Sequence, residues 1–180
     1  MVRIVCEGLD DELFIKQLLR HLKIKEKDYD FNQHIQSTKG KSYLLKKGTY
    51  EENKLNDEVG KTVNEVLFIF DADFIEDDKQ SNGLEKSKER IEQLIKDLNW
   101  DIDTDYYIFD KNLDDFIVKT LSKEQQNCFK EFDECLNIQG KNKNKKISTC
   151  IYKKLYPQAP YDFLHENFKP LTEKLTNLFQ

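Results

Sequence analysis

Val66-Leu67-Phe68-Ile69-Phe70-Asp71-Ala72-Asp73 is the stretch that decides the fold of this chain. Five consecutive apolar residues suit a strand covered on both faces, as in a parallel sheet, because a half-exposed strand would alternate apolar with polar. The run stops abruptly at two aspartates spaced two apart. In open α/β sheets functional groups sit just beyond the carboxyl ends of the strands. Asp71 and Asp73 are therefore the first candidates for chemistry.

Upstream, Val2 to Cys6 is a second apolar run, broken only by Arg3 and ended by Glu7-Gly8. A strand, a tight turn and a helix start explain this order, with Asp10 able to cap the helix. Leu13, Phe14, Leu18 and Leu22 then recur at helical period. Tyr29 to Ile35 alternates weakly and reads as a strand. Ser37 to Lys47 reads as a basic loop. Leu55, Val59 and Val63 recur every four residues and predict a helix with one narrow buried seam over Glu51 to Asn64. Downstream, Asp77 to Gly83 is a polar loop. Ile91, Leu94, Ile95 and Leu98 mark an amphipathic helix over Leu84 to Leu98, and Tyr106 to Phe109 reads as a fourth strand. This alternation predicts an α/β fold with a mostly parallel four-stranded sheet flanked by helices.

After Phe109 the character becomes helical. Leu113-Asp114-Asp115-Phe116-Ile117 starts one helix, and Glu124 to Leu136 reads as another. Gly140 to Lys146 is a basic, low-complexity loop. Ile147 to Leu155 and Leu171 to Phe179 read as further helices, set apart by Pro157, Pro160 and Pro170. The expected division is an α/β domain over 1–120 and a helical C-terminal extension over 121–180, packed on the same domain.

A chain of 180 residues fits one domain with a short appendage. The net charge of −5 argues against coating nucleic acid by bulk positive charge, yet 29 Lys and Arg leave room for local basic surfaces. Cys6, Cys128, Cys135 and Cys150 form no CxxC pair, which speaks against zinc and for reduced thiols in the cytoplasm. The N-terminus lacks the apolar core of a signal peptide, and no apolar run approaches the roughly 20 residues of a membrane span. No membrane association is expected.

Glu7 ends the first strand as Asp71 and Asp73 end the third. Neighbouring strands lie about 4.8 Å apart, so adjacency would bring the three carboxylates together. Such carboxylates repel unless a cation intervenes, and oxygen-only ligation suits Mg²⁺ or Mn²⁺. Asp77 or Asp78 could add an outer ligand. Set against this, Asp-x-Asp after a strand is common in turns. The conjunction at two strand ends is what favours a metal site. Lys39, Lys41, Lys46 and Lys47 follow the second strand, and Gly40 lets backbone N–H groups approach an anion. Lys39 and Lys41 are the first candidates for nucleic-acid contacts, although a lysine run is more often a solvated loop. Lys141, Lys143, Lys145 and Lys146 form another cluster. His21, His34 and His165 show no ligand spacing, and no Walker loop, dinucleotide fingerprint or nucleophile elbow is present.

Val5-Cys6-Glu7-Gly8-Leu9-Asp10-Asp11 resembles the opening of the Toprim domain, and Phe68-Ile69-Phe70-Asp71-Ala72-Asp73 resembles its Asp-x-Asp strand. The resemblance implies metal-assisted cleavage or transfer of phosphodiesters in DNA or RNA. It implies Glu7 as general acid/base or ligand, Asp11 as a second catalytic candidate, and Asp71 and Asp73 as metal holders. Small stand-alone Toprim-like proteins of unknown function are a closer likeness. They carry a Leu-Glu-Asp-Leu-Leu-like segment where Leu113-Asp114-Asp115-Phe116-Ile117 stands here, and a Lys-rich stretch like Lys145-Lys146-Ile147-Ser148-Thr149. Asp114 and Asp115 would then supply a second metal cluster. Their plain alternative is a favourable charge in a helix's first turn. A rival function is a regulatory or binding subunit that keeps the fold without turnover, for example beside an ATPase in a phage-defence complex. A receiver-like phosphoacceptor domain, with Asp71 as acceptor, is a third option.

Overall fold

The computed structural model describes residues 1–24, 29–52, 54–73, 78, 82–128, 130 and 163–179. Two compact units divide it: Met1–Asn112 with Pro170–Gln180, and Leu113–Lys169. The C-terminal segment from Pro170 on groups with the sheet. Its apolar seam explains this: Leu171, Leu175 and Leu178 are buried.

The first unit is a sheet of four parallel strands in the order β2-β1-β3-β4. They are β1 (Val2–Cys6), β2 (Ile35–Ser37), β3 (Glu65–Asp71) and β4 (Asp103–Phe109). The apolar run of β3 sits at the centre because only a strand with two neighbours and two covered faces can bury every residue from Val66 to Phe70. Its register sets Val5 beside Phe68 and Cys6 beside Ile69.

Side-chain alternation assigns the two faces. Val5, Val66, Phe68 and Phe70 join Leu44, Tyr50, Leu55, Ile91 and Leu94 in one buried cluster. That face is covered by α3 (Lys41–Leu44), α4 (Lys47–Glu51), α5 (Lys54–Glu58) and α6 (Leu84–Leu98). Phe68 stacks near Trp100 and meets Tyr50 edge-on at 5.7 Å. The other face receives α1 (Leu9–His21), whose Phe14, Ile15, Leu18 and Leu19 are buried. The Phe14 ring meets Phe109 of β4 edge-on at 6.1 Å. The C-terminal helix, α8 (Lys169–Leu178), carries Lys174, which pairs with Asp105.

The segment read as a strand over Tyr29 to Ile35 divides. Asp30 accepts a hydrogen bond from the Asn32 N–H at 3.0 Å and starts the single helical turn α2 (Phe31–His34), and β2 begins only at Ile35. An aspartate capping two residues on competes with strand pairing. The basic segment after β2 is likewise helical over α3. The helix expected over Glu51 to Asn64 is reduced to α5, and Val59 instead bridges Val63. In the second unit α7 (Leu113–Val118) starts where expected. The helices read over Ile147 to Leu155, the Gly140–Lys146 loop, and Cys135 and Cys150 lie outside the described residues. Among the described residues no helix is long and apolar enough to cross a membrane.

Candidate functional site

Glu7 follows β1 directly, and its backbone is fixed on both sides. Its N–H donates to the Ile69 carbonyl of β3 at 3.1 Å. Its carbonyl accepts from the Thr38 hydroxyl at 3.0 Å and from the Gly40 N–H at 3.1 Å. Gly40 stands at φ 113, a conformation that side chains with a Cβ rarely adopt. This turn brings the start of α3 back over the end of β1.

The Glu7 side chain is held as firmly. One carboxylate oxygen accepts from the Asp71 N–H at 3.1 Å. The Lys41 N–H donates to the same carboxylate. The two strand ends therefore meet, as their adjacency in the sheet demands. The contact runs from the Glu7 carboxylate to the Asp71 backbone. By alternation Asp71 follows Leu67 and Ile69 on β3, and Glu7 follows Val5 on β1. Val5 and Phe70 share the α3–α6 face, so Glu7 belongs to that face and Asp71 to the opposite one.

Asp73 returns to the Glu7 side because the chain turns sharply after β3. Its φ is 62, in the left-handed region where Asp is better tolerated than most residues. The Asp73 N–H donates to the Lys111 carbonyl at 2.6 Å, and Ala72 N–H to the Phe109 carbonyl at 2.9 Å, so β4 fixes the turn. The Asp73 carboxylate then pairs with the Lys41 ammonium at 3.1 Å. The same ammonium donates to the Ala72 carbonyl at 2.7 Å. Lys41 is only 10% exposed as a side chain. It is an internal cation set among carboxylates.

These surroundings push the Glu7 carboxyl above its ordinary value of 4.5. Loss of water is the main cause, and the Asp73 charge adds to it. The Asp71 and Lys41 N–H groups and the Lys41 charge pull the other way.

Asp11 is buried, and its carboxylate accepts from the Gly8 N–H at 2.9 Å. It fastens the start of α1 by reaching back over the first turn. Gly8 itself is extended at φ −137, and a Cβ there would meet nothing closer than Asp11 Oδ2 at 3.5 Å. The fold places no steric demand for glycine after Glu7. Cys6 is fully buried, and burial pushes its thiol up. In the second unit Asp114 and Asp115 occupy the first turn of α7, and Asp115 pairs with Lys119 at 2.9 Å. Asp77 lies outside the described residues, and Asp78 is exposed.

Among the described residues no group of three His, Cys, Asp or Glu side chains is arranged to hold a metal ion. The donors at the sheet edge are carboxylates, the type that Mg²⁺ accepts, and Mg²⁺ commonly takes only one or two of them beside waters and substrate oxygens. The Lys41 ammonium sits on one of these carboxylates, that of Asp73.

Lys39 lies outside this ion-pair network, exposed at a cavity of about 360 Å³ beyond β2. Lys46, one of the four lysines noted after β2, lines the same cavity. Comparison with protein-family models, with curated proteins and with solved structures found no match.

Proposed function

We propose that this chain is a Mg²⁺- or Mn²⁺-dependent nuclease, or a related phosphoryl-transfer enzyme acting on nucleic-acid phosphodiesters. The observation that carries the reading is the Glu7 carboxylate, seated at the carboxyl end of β1 within a network that includes the Asp71 N–H, Lys41 and Asp73. A carboxyl raised by burial holds its proton nearer to neutral pH, which suits proton transfer to or from an ester oxygen. Lys41 holds Asp73 and the Ala72 carbonyl in place. Asp11 fixes the helix that follows Glu7. Asp73, on the Glu7 side of the sheet, is the residue that would hold the ion, with Glu7 facing it; the ion would supply charge stabilisation to the phosphoryl group.

The test is incubation of labelled RNA and DNA, single- and double-stranded, with the protein and Mg²⁺ or Mn²⁺. Cleavage by the wild type and its loss in Glu7→Gln support the proposal. Absence of cleavage on every substrate, or equal cleavage by the variant, rejects it.

One observation favours a second reading, a binding or regulatory subunit without turnover. The Lys41 ammonium already balances the Asp73 charge inside the protein. Affinity purification from the native host that recovers a stoichiometric ATPase, together with inactivity of the isolated chain, would support this reading over the first.

A further inference from the structure

The cavity beyond β2 is lined largely by side chains that take no part in the Glu7–Lys41–Asp73 network. It is lined by Ser37, Thr38, Lys39, Tyr43, Lys46 and Thr49, with Glu52 in its wall. Its volume of about 360 Å³ lies within the range of small-ligand sites, on the order of 300–1,000 Å³. Thr38 connects it to Glu7. The Thr38 N–H donates to the Cys6 carbonyl at 2.9 Å, and its hydroxyl donates to the Glu7 carbonyl at 3.0 Å. A ligand in the cavity therefore lies against the peptide that carries Glu7.

The chemistry of the lining is mixed in a particular way. Lys39 and Lys46 are exposed, and neither makes an ion pair among the described residues. Four hydroxyl side chains share the cavity with them. Tyr43 is 48% exposed and forms no ring contact among the described residues. Two unpaired ammonium groups with hydroxyls recognise a phosphate. A flat, unpartnered aromatic ring beside them stacks on a base. Glu52 repels a polyanion lying flat across the surface but accepts hydrogen bonds from base N–H groups.

We propose that this cavity is the subsite for one nucleotide of a single-stranded nucleic acid. Lys39 and Lys46 bind its backbone, and Tyr43 stacks its base. The inference rests on the proposed phosphodiester chemistry and names the strand state of its substrate. It also moves the backbone contact from Lys41, which is held inside by Asp73, to Lys46. A duplex cannot present one splayed base to a concave site without unpairing it.

Fluorescence anisotropy in EDTA, with short labelled single strands and the matching duplex, tests this apart from turnover. The wild type binds the single strand at least about tenfold tighter than the duplex. Lys39→Ala/Lys46→Ala weakens binding about tenfold or more and lowers the salt dependence by about 1.4 in log–log slope, ~0.7 per phosphate contact. Tyr43→Ala weakens single-strand binding about tenfold. Lys86→Ala, on α6 and paired with Glu89, leaves it unchanged. Circular dichroism checks that the variants fold, which their exposed positions favour. Equal affinity of the double variant and the wild type overturns the proposal, as does equal affinity for duplex or no binding to single strands. Cavity-dependent binding without cleavage would reject the enzyme and keep the subsite. Cleavage that ignores Lys39, Lys46 and Tyr43 would do the reverse.

Discussion

The Lys41 ammonium lies 3.1 Å from a carboxylate oxygen of Asp73, across 32 residues of sequence and behind a surface that leaves the lysine side chain 10% exposed. The pair joins the end of β3 to the start of α3. Its removal leaves Asp73 in a left-handed turn without its charge partner. Lys41→Met is expected to cost about 1.5–3 kcal/mol, the range for a hydrogen bond to a charged group. Urea denaturation measures this. If Mn²⁺ and the ammonium are alternative partners of Asp73, saturating Mn²⁺ restores more stability to the variant than it adds to the wild type. Equal responses to Mn²⁺ would argue that the ion binds elsewhere or not at all.

Glu7 makes a pH-dependent contribution whose sign follows from its environment. Burial raises its folded-state value above the ordinary 4.5. The folded protein therefore favours the protonated form. The stabilising contribution is complete below the unfolded value, and it is lost as pH rises through the folded value. Glu7→Gln stays neutral throughout. The variant is expected to gain stability relative to the wild type between about pH 4 and neutrality, and to show a constant difference at more acid pH. Denaturation curves at a series of pH values read this difference directly. A difference that does not change with pH would mean that the carboxyl is not perturbed by folding.

Lys23 ends α1 in a left-handed conformation, at φ 62. Its N–H bonds the Arg20 carbonyl at 3.0 Å, and the Ile24 N–H bonds the Leu19 carbonyl at 3.1 Å. This paired pattern usually has glycine where Lys23 stands. Lys23→Gly is expected to raise stability by about 1 kcal/mol, seen as a higher denaturation midpoint. A neutral or destabilising result would show that the lysine side chain makes up for the backbone strain.

Gly40 is the opposite case. At φ 113 with open space around its Cα, it resists substitution through its backbone and not through crowding. Gly40→Ala is expected to destabilise by about 1–2 kcal/mol and to loosen the Lys41 N–H bond to Glu7. Gly8→Ala, at an extended position with room for a methyl group, is expected to stay within about 0.5 kcal/mol of the wild type. The two variants compared by thermal melting separate a glycine that the turn needs from one that the backbone does not.

The sheet was legible because its signals are local. The apolar run of β3 admits a covered strand and little else, and Ile91, Leu94, Ile95 and Leu98 recur at helical spacing along α6. The edge strand was less legible. Asp30 converts what reads as alternation into a helical turn, and a three-residue strand carries almost no pattern of its own. At the site, the meeting of Glu7 with the end of β3 followed from strand adjacency. Which carboxylates share a face did not. The left-handed turn at Asp73 breaks the two-residue rule, bringing Asp73 round to Lys41 on the Glu7 side of the strand from which Asp71 departs. Lys41 and Lys39 look alike in sequence, but one is an internal counter-charge and the other an open cation. Only the fold of α3 separates them.

Diffraction from crystals of this protein soaked in Mn²⁺, read at the manganese absorption edge, addresses the strand-end site most directly. The account predicts an anomalous peak bonded to Asp73, with the Lys41 ammonium drawn off that carboxylate and the Glu7 carboxylate still facing it. A map with no peak there at saturating Mn²⁺, and Lys41 unmoved on Asp73, would contradict it.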